Sequence, residues 1–307
     1  MPRTTTIQHL LLSALLLAPA LMLASGPATA QRDFSKVEIK AEEITDGLYV
    51  LFGAGGNIGV LTGDDGLFMI DDQFEPLTDK ILASIRTISD QPVRFLRNTH
   101  WHADHTGGNE NMAKRTGVNI IAHENVRSTM AVPQELKAFN RKVPASPKAA
   151  LPVVTHTHGM TLHLNGETIE IHAHAPAHTD GDSFVYFKNA NVLHAGDTFF
   201  NGFYPFIDVE HGGTVAGMIR AAEKMLAVGN ERTKIIPGHG PMADKEQLLE
   251  FRNMLVSIRD LIRNAKGRNE TVDQVVESAQ FKMIDEKWGK GFLKGPIFMK
   301  LIFPSTN

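Results

Sequence analysis

Residues 99–108 read Thr-His-Trp-His-Ala-Asp-His-Thr-Gly-Gly, with three histidines and one aspartate packed between His100 and His105. The run Val93-Arg-Phe-Leu96 just before them has the length and apolar character of a buried strand. His100 and His102 stand two apart at its end, where side chains leave the same face and can converge on one cation. Asp104 and His105 follow where the chain turns toward a helix, so they can aim at a second position nearby. A helix-capping turn with solvated histidines is the alternative, and it leaves the crowding of donor groups to coincidence.

Two metals need more ligands than this stretch holds. Three candidates lie downstream, each at the end of a strand-like run: His178 in Ala177-His-Thr-Asp-Gly-Asp182, Asp197 in His194-Ala-Gly-Asp-Thr198, and His239 in Pro237-Gly-His-Gly240. Taken singly, each also reads as a satisfied buried polar residue. The chain has no cysteine, so any metal must be held by nitrogen and oxygen.

Around these motifs the apolar pattern predicts strands at 48–52, 58–61, 67–70, 93–96, 183–187 and 192–195, with hairpin turns at Asp65-Gly66 and Asn165-Gly166. It predicts helices from Pro76 to about Ile88, from about Thr106, from Thr214 to about Leu226, and from Asp244 to Gly267. The last has Asp244 and Gln247 as a capping box. Strand meander, helix, strand meander, helices: this order implies two packed sheets with helices outside. The stretch 127–157 reads equally as a flap beside the site or a surface excursion, and the Lys287–Phe303 tail as packed on its own domain.

The N-terminus departs from the rest. A basic start, an apolar run from Leu10 to Ala24 and small residues at Ala28 and Ala30 read as a signal peptide over 1–30. The expectation is a single mature domain over 31–307, periplasmic or secreted, with no stable membrane span after cleavage. A formal charge of −3 without basic blocks argues against nucleic acid and leaves a small molecule as the expected partner.

The ordered set His-x-His-x-Asp-His, His-Thr-x-Gly-Asp, Gly-Asp-Thr and Pro-Gly-His-Gly resembles the metallo-β-lactamase superfamily over roughly residues 44–265. The resemblance implies an α/β fold, a four-layer αββα sandwich with a dinuclear zinc site between the upper sheet edges. His100, His102 and His178 would hold the first ion, Asp104, His105 and His239 the second, and Asp197 would bridge them. Iron or manganese also suits such donors, and His102 stands where oxygen-reducing iron relatives tend to place glutamate, which favours zinc.

Zinc lowers the pKa of bound water from ~15.7 toward ~7, so hydrolysis needs no side-chain nucleophile. Asp104 is the candidate catalytic residue, steering the attacking oxygen or passing a proton to the leaving group. With export, the resemblance points to β-lactam amides, with a lactone or thioester hydrolase, or a non-catalytic metal-binding accessory of a periplasmic redox system, as alternatives. Two features depart from the β-lactamase pattern: Asp197 is the bridging type of esterase and thioesterase relatives, and residues 198–213 contain no Lys or Arg. Asn201 and Tyr204 are the candidate substrate donors there.

Other polar residues receive different readings. Asp71 and Asp72 are candidates to orient a ligand histidine or to cap a loop. His172 and His174 fall on the polar face of a strand, His156 and His158 read as solvated, and His194 as a strand residue.

Overall fold

The computed structural model describes Met1, residues 33–174 and residues 176–306; the expected signal peptide lies outside the described residues. Strands β1 (Lys40–Thr45), β2 (Leu48–Phe52), β3 (Ile58–Leu61), β4 (Leu67–Ile70), β5 (Val93–Arg97), β6 (Asn119–His123) and β9 (Val154–His156) form a seven-stranded sheet in that order. It is antiparallel from β1 to β4 and parallel from β4 onward. A second sheet runs β10 (Gly159–Leu164), β11 (Glu167–Ala173), β12 (Ser183–Phe187), β13 (Val192–His194), β14 (Lys234–Ile236), with β13 and β14 parallel. A short hairpin of β7 (Gln134–Leu136) and β8 (Arg141–Val143) stands apart.

Alternation of side chains across each strand builds the layers. Val50, Phe68, Ile70, Ile169, Ile171, Val185 and Phe187 pack between the sheets. Their neighbours Leu51 and Met69 point outward, onto Ile81 and Ile85 of α1 (Thr78–Arg86) and Met112 of α3 (Asn109–Thr116). Phe184 and Tyr186 point the other way, onto α5 (Val215–Leu226) and α6 (Lys245–Gly267). The result is an αββα sandwich, as the sequence implied. Helix α6 buries Leu248, Phe251, Leu255, Ile258 and Ile262, each contributing roughly 1.5–3 kcal/mol of transfer free energy. Its predicted Asp244–Gln247 capping box is present.

Several boundaries differ from the sequence reading. The helix expected from Pro76 opens as a 3-10 turn, Glu75–Leu77, and the one expected near Thr106 is two pieces: α2 (Ala103–Thr106), then α3. The 127–157 stretch begins in α4 (Glu124–Met130), forms the β7–β8 hairpin and returns as edge strand β9. Beyond Gly267, α7 (Val272–Glu277), α8 (Ala279–Trp288) and α9 (Gly295–Ile302) pack onto the outer core through Val275, Phe281, Trp288, Phe298 and Ile302. No helix among the described residues is long and apolar enough to cross a membrane.

Candidate metal centre

Parallel strands deliver their following loops to one edge of each sheet, and the candidate ligands sit on those loops. His100 and His102 follow β5, His178 follows β11, Asp197 lies in a 3-10 turn after β13, and His239 follows β14. The structure brings all seven together in two adjoining groups, His100–His102–His178–Asp197 and Asp104–His105–His239. Gly238 allows this closeness: a Cβ there would lie 2.1 Å from Asp197 Oδ1, so no side chain fits.

In the first group, His102 Nδ1 lies 3.1 Å from His100 Nε2 and 2.9 Å from His178 Nε2. In the second, His105 Nε2 and His239 Nε2 are 3.3 Å apart. Asp197 Oδ1 is 3.0 Å from His105 Nε2, and its Oδ2 is 3.4 Å from His239, 3.6 Å from His178 and 3.8 Å from His100. One carboxylate thus faces both groups. Asp104 Oδ2 lies 3.3 Å from His239 Nε2 and is the most exposed of the clustered groups, at 29%.

The outward-facing nitrogens explain why the inner ones converge. His178 Nδ1 donates to the Phe206 carbonyl at 2.7 Å, His102 Nε2 to Asp208 Oδ2 at 2.9 Å, and His105 Nδ1 to Asp71 Oδ2 at 2.7 Å. Each of these donations fixes a tautomer, leaving the inner nitrogen with a lone pair. Such lone pairs facing one another at these separations repel unless a cation lies between them, and ~2.0–2.1 Å zinc–nitrogen bonds in tetrahedral array place nitrogens about 3.3 Å apart. The donor set therefore fits divalent metal.

The carboxylates and rings of the two groups stabilise one another's charged forms. Burial pushes the Asp197 carboxyl up, but the His105, His239 and His100 rings outweigh it and leave it well below the usual carboxylate range. Burial lowers His239 too, yet Asp197 and Asp104 together raise it to about 9. His178, where burial dominates, is held down to about 4.

Of the paired aspartates, Asp71 orients His105 and also accepts from Thr99 N and Oγ1, whereas Asp72 caps α3 by accepting from Gly108 N. Sequence reasoning missed Asp208, Phe206 and His211. Asp208 lies within the stretch searched for a cation, and an isolated aspartate carries no pattern to flag it. Of the two expected substrate donors, only Tyr204 is contradicted by its surroundings. Asn201 Nδ2 donates to the Pro241 carbonyl at 3.1 Å, and Tyr204 is completely buried, stacked on Phe298 at 4.5 Å, out of reach of a substrate arriving from solvent.

The remaining histidines also separate. His194 donates to the Asn57 carbonyl from β13, as a strand residue should. His172 is not simply on a polar face but stacks on Phe184 at 4.6 Å, with His174 beside it. His156 is not solvated: it packs edge-on to His123, and both ring nitrogens are buried.

Comparison with known proteins places this arrangement. A hydroxyacylglutathione hydrolase of Polaromonas sp. (strain JS666 / ATCC BAA-500) is 30% identical, over 52% of this chain and 53% of its own length. The "Probable metallo-hydrolase YqgX" of Bacillus subtilis (strain 168) is 25% identical, over 61% of this chain and 89% of its own. The chain spans between 35% and 53% of the several hydroxyacylglutathione hydrolases it matches. Among solved structures, a metallo-β-lactamase from Pontibacter korlensis shares the fold with a TM-score of 0.59 at 19% identity, covering 71% of this chain and 99% of its own. The sec-alkylsulfatase Pisa1 from Pseudomonas sp. does so at 0.63 and 17%, covering 86% and 50%. Residues 51–239, which run from β2 to the last clustered histidine, match the family model of the metallo-beta-lactamase superfamily. With the sandwich, the edge-of-sheet loops and the convergent donors in agreement, the chain belongs to the metallo-beta-lactamase superfamily.

Proposed function

We propose that this chain is an exported dinuclear zinc hydrolase that cleaves an acyl ester or thioester bond. The single observation that carries the reading is the Asp197 carboxylate, whose two oxygens face both histidine groups. Counting two zinc ions, Asp104, Asp197 and one hydroxide gives about +1, and the ligand-bonded carboxylates of Asp71 and Asp208, offset by buried Arg97, bring the locality to about zero. A centre so nearly neutral gives little attraction to the carboxylate of a β-lactam. An amide nitrogen leaving as an anion needs more electrophilic help than an alkoxide or thiolate, and a nearly neutral centre supplies little of it. The relatives named hydroxyacylglutathione hydrolases support the same bond class. Residues 1–30 support export.

When bound, the two zinc ions supply the Lewis acidity that makes water nucleophilic at neutral pH. Phe206 O, Asp208 and Asp71 hold His178, His102 and His105 so that their inner nitrogens stay aimed at the ions. Asp104, at the exposed edge, orients the attacking hydroxide and relays its proton to the leaving oxygen or sulfur as the acyl bond breaks. Phe206 and Phe200, both buried against ligand rings, exclude bulk water from the ligand side.

The test is a panel of a simple thioester, a lactone and nitrocefin, offered to zinc-loaded protein lacking residues 1–30, with and without chelator. Chelator-sensitive thioester or lactone turnover that disappears in Asp197→Ala is the expected result. Turnover of nitrocefin alone would restore the β-lactam reading, and stoichiometric zinc with no turnover would favour the accessory reading.

A further inference from the structure

Two aromatic arms rise from the candidate metal centre, one on each side. On the first group's side, Phe206 lies 5.7 Å from the His102 ring and 6.0 Å from the His178 ring, and Phe139 lies 4.8 Å from Phe206. On the second group's side, Phe200 stacks on His239 at 5.1 Å, and Phe203 and Phe292 lie 5.8 Å and 6.5 Å from Phe200. The inner rings are buried, yet the outer ends are open: Phe139 is 48% exposed and Phe292 is 59% exposed. Isolated exposed apolar residues are ordinary on a protein surface. These two each continue a ring-to-ring path that ends on a metal-ligand candidate.

Both arms are built into the structure. The β7–β8 hairpin that carries Phe139 is tied to the ligand-bearing loop: Lys137 N donates to Glu210 Oε2 at 2.9 Å, and Gln134 Oε1 lies 3.1 Å from His211 Nε2. The turn that carries Phe292 lies flat on Phe203, because a Cβ at Gly291 would meet that ring at 2.7 Å. That turn lies outside residues 51–239, the stretch matched by the family model.

We propose that the substrate is apolar on both sides of the bond that is cut. Resting on the hydrolase reading above, the acyl tail lies along Phe206 and Phe139, and an uncharged apolar leaving group lies along Phe203 and Phe292. Each methylene transferred fully from water to an apolar surface contributes ~0.8 kcal/mol, about a fourfold factor, so a half-covered chain still discriminates strongly by length.

The experiment crosses two substrate series with two variants of the zinc-loaded protein. Thioesters with acyl groups from acetyl to octanoyl on one leaving group should show kcat/KM rising by about tenfold or more. Acetyl thioesters of thiols from 2-hydroxyethyl to benzyl should show a comparable rise. Phe139→Ala should flatten the first series only and Phe292→Ala the second only, with circular dichroism melting used to confirm that both variants fold. Calorimetric titration with octanoate and acetate gives a readout without turnover: octanoate should bind about tenfold more tightly, and Phe139→Ala should erase the difference. Hydrolysis with no dependence on either series, or flattening of both series by either variant, would overturn the inference while leaving the hydrolase reading intact. No hydrolysis together with length-dependent carboxylate binding would sink the hydrolase reading and keep the apolar arm.

Discussion

Asp208 Oδ2 lies 2.9 Å from His102 Nε2 and 2.8 Å from His211 Nδ1, so one buried carboxylate ties a candidate ligand to the loop beside the β7–β8 hairpin. The hydrogen bond selects the tautomer in which His102 offers Nδ1 to the first group. Asp208→Asn preserves shape but removes the charge that holds this proton. Zinc affinity at the first group should fall roughly 10–100-fold, measured by competition with a chromogenic chelator. Unchanged affinity would show that His102 is oriented by packing alone.

Gly238 offers a test of the bridging carboxylate in which no candidate ligand is substituted. A methyl group at this position would lie 2.1 Å from Asp197 Oδ1 and 2.6 Å from the Gly196 backbone. Gly238→Ala should therefore displace Asp197 and reduce bound zinc from two per chain toward one, read by elemental analysis of dialysed protein. Two tightly held ions in this variant would mean that the centre does not need Asp197 where the structure puts it.

Tyr204 separates the sequence expectation from the structural finding. Its hydroxyl is buried without a hydrogen-bond partner among the described residues, and burial, with Asp285 adding to it, pushes the phenol above its ordinary range. Removing an unsatisfied buried hydroxyl relieves a desolvation penalty of roughly 1–3 kcal/mol. Tyr204→Phe should leave turnover within about twofold and raise, or at least maintain, the urea midpoint. A large loss of kcat/KM would return Tyr204 to the substrate site.

His174 sets an acid limit on stability. Burial, with smaller contributions from Lys224 and His172, lowers its pKa to about 3, against ~6.5 in the unfolded chain. As pH falls below about 6.5 the unfolded state takes up a proton that the folded state refuses, so stability drops by up to ~1.4 kcal/mol per pH unit until about pH 3. Above about 6.5 the residue contributes no pH dependence. His174→Phe keeps an aromatic ring beside Phe184 and removes the titration. Between pH 7.5 and pH 5 the parent should lose ~2 kcal/mol more than the variant in urea unfolding. Parallel losses would show that His174 is protonated in the folded state.

The clustered histidines and aspartates were legible because their spacing encodes geometry. Two histidines at strand period share a face, and motifs ending in glycine mark loops where backbone approaches a centre. The layers were legible for the same reason, since Val185 and Phe187 alternate with Phe184 and Tyr186 across one strand. Tyr204 was misplaced because an amphipathic residue in an irregular loop has no period, and its ring follows apolar neighbours into the core. Of the three C-terminal helices only α9 and the end of α8 fell within the stretch read as a packed tail, and the short apolar patterns of α7 and α8 gave no reading.

Local periodicity and motif order thus determined which elements form, which face of each is buried and which side chains carry metal-binding chemistry. Those properties depend on near neighbours in the chain. Tertiary structure alone decided which acceptor orients each histidine, that Asp197 faces both groups, and that Phe139 and Phe292 flank one centre. Such contacts join residues as distant as His102 and Asp208, 106 positions apart, and the approach of distant strands and loops is set by the packing of the whole sandwich.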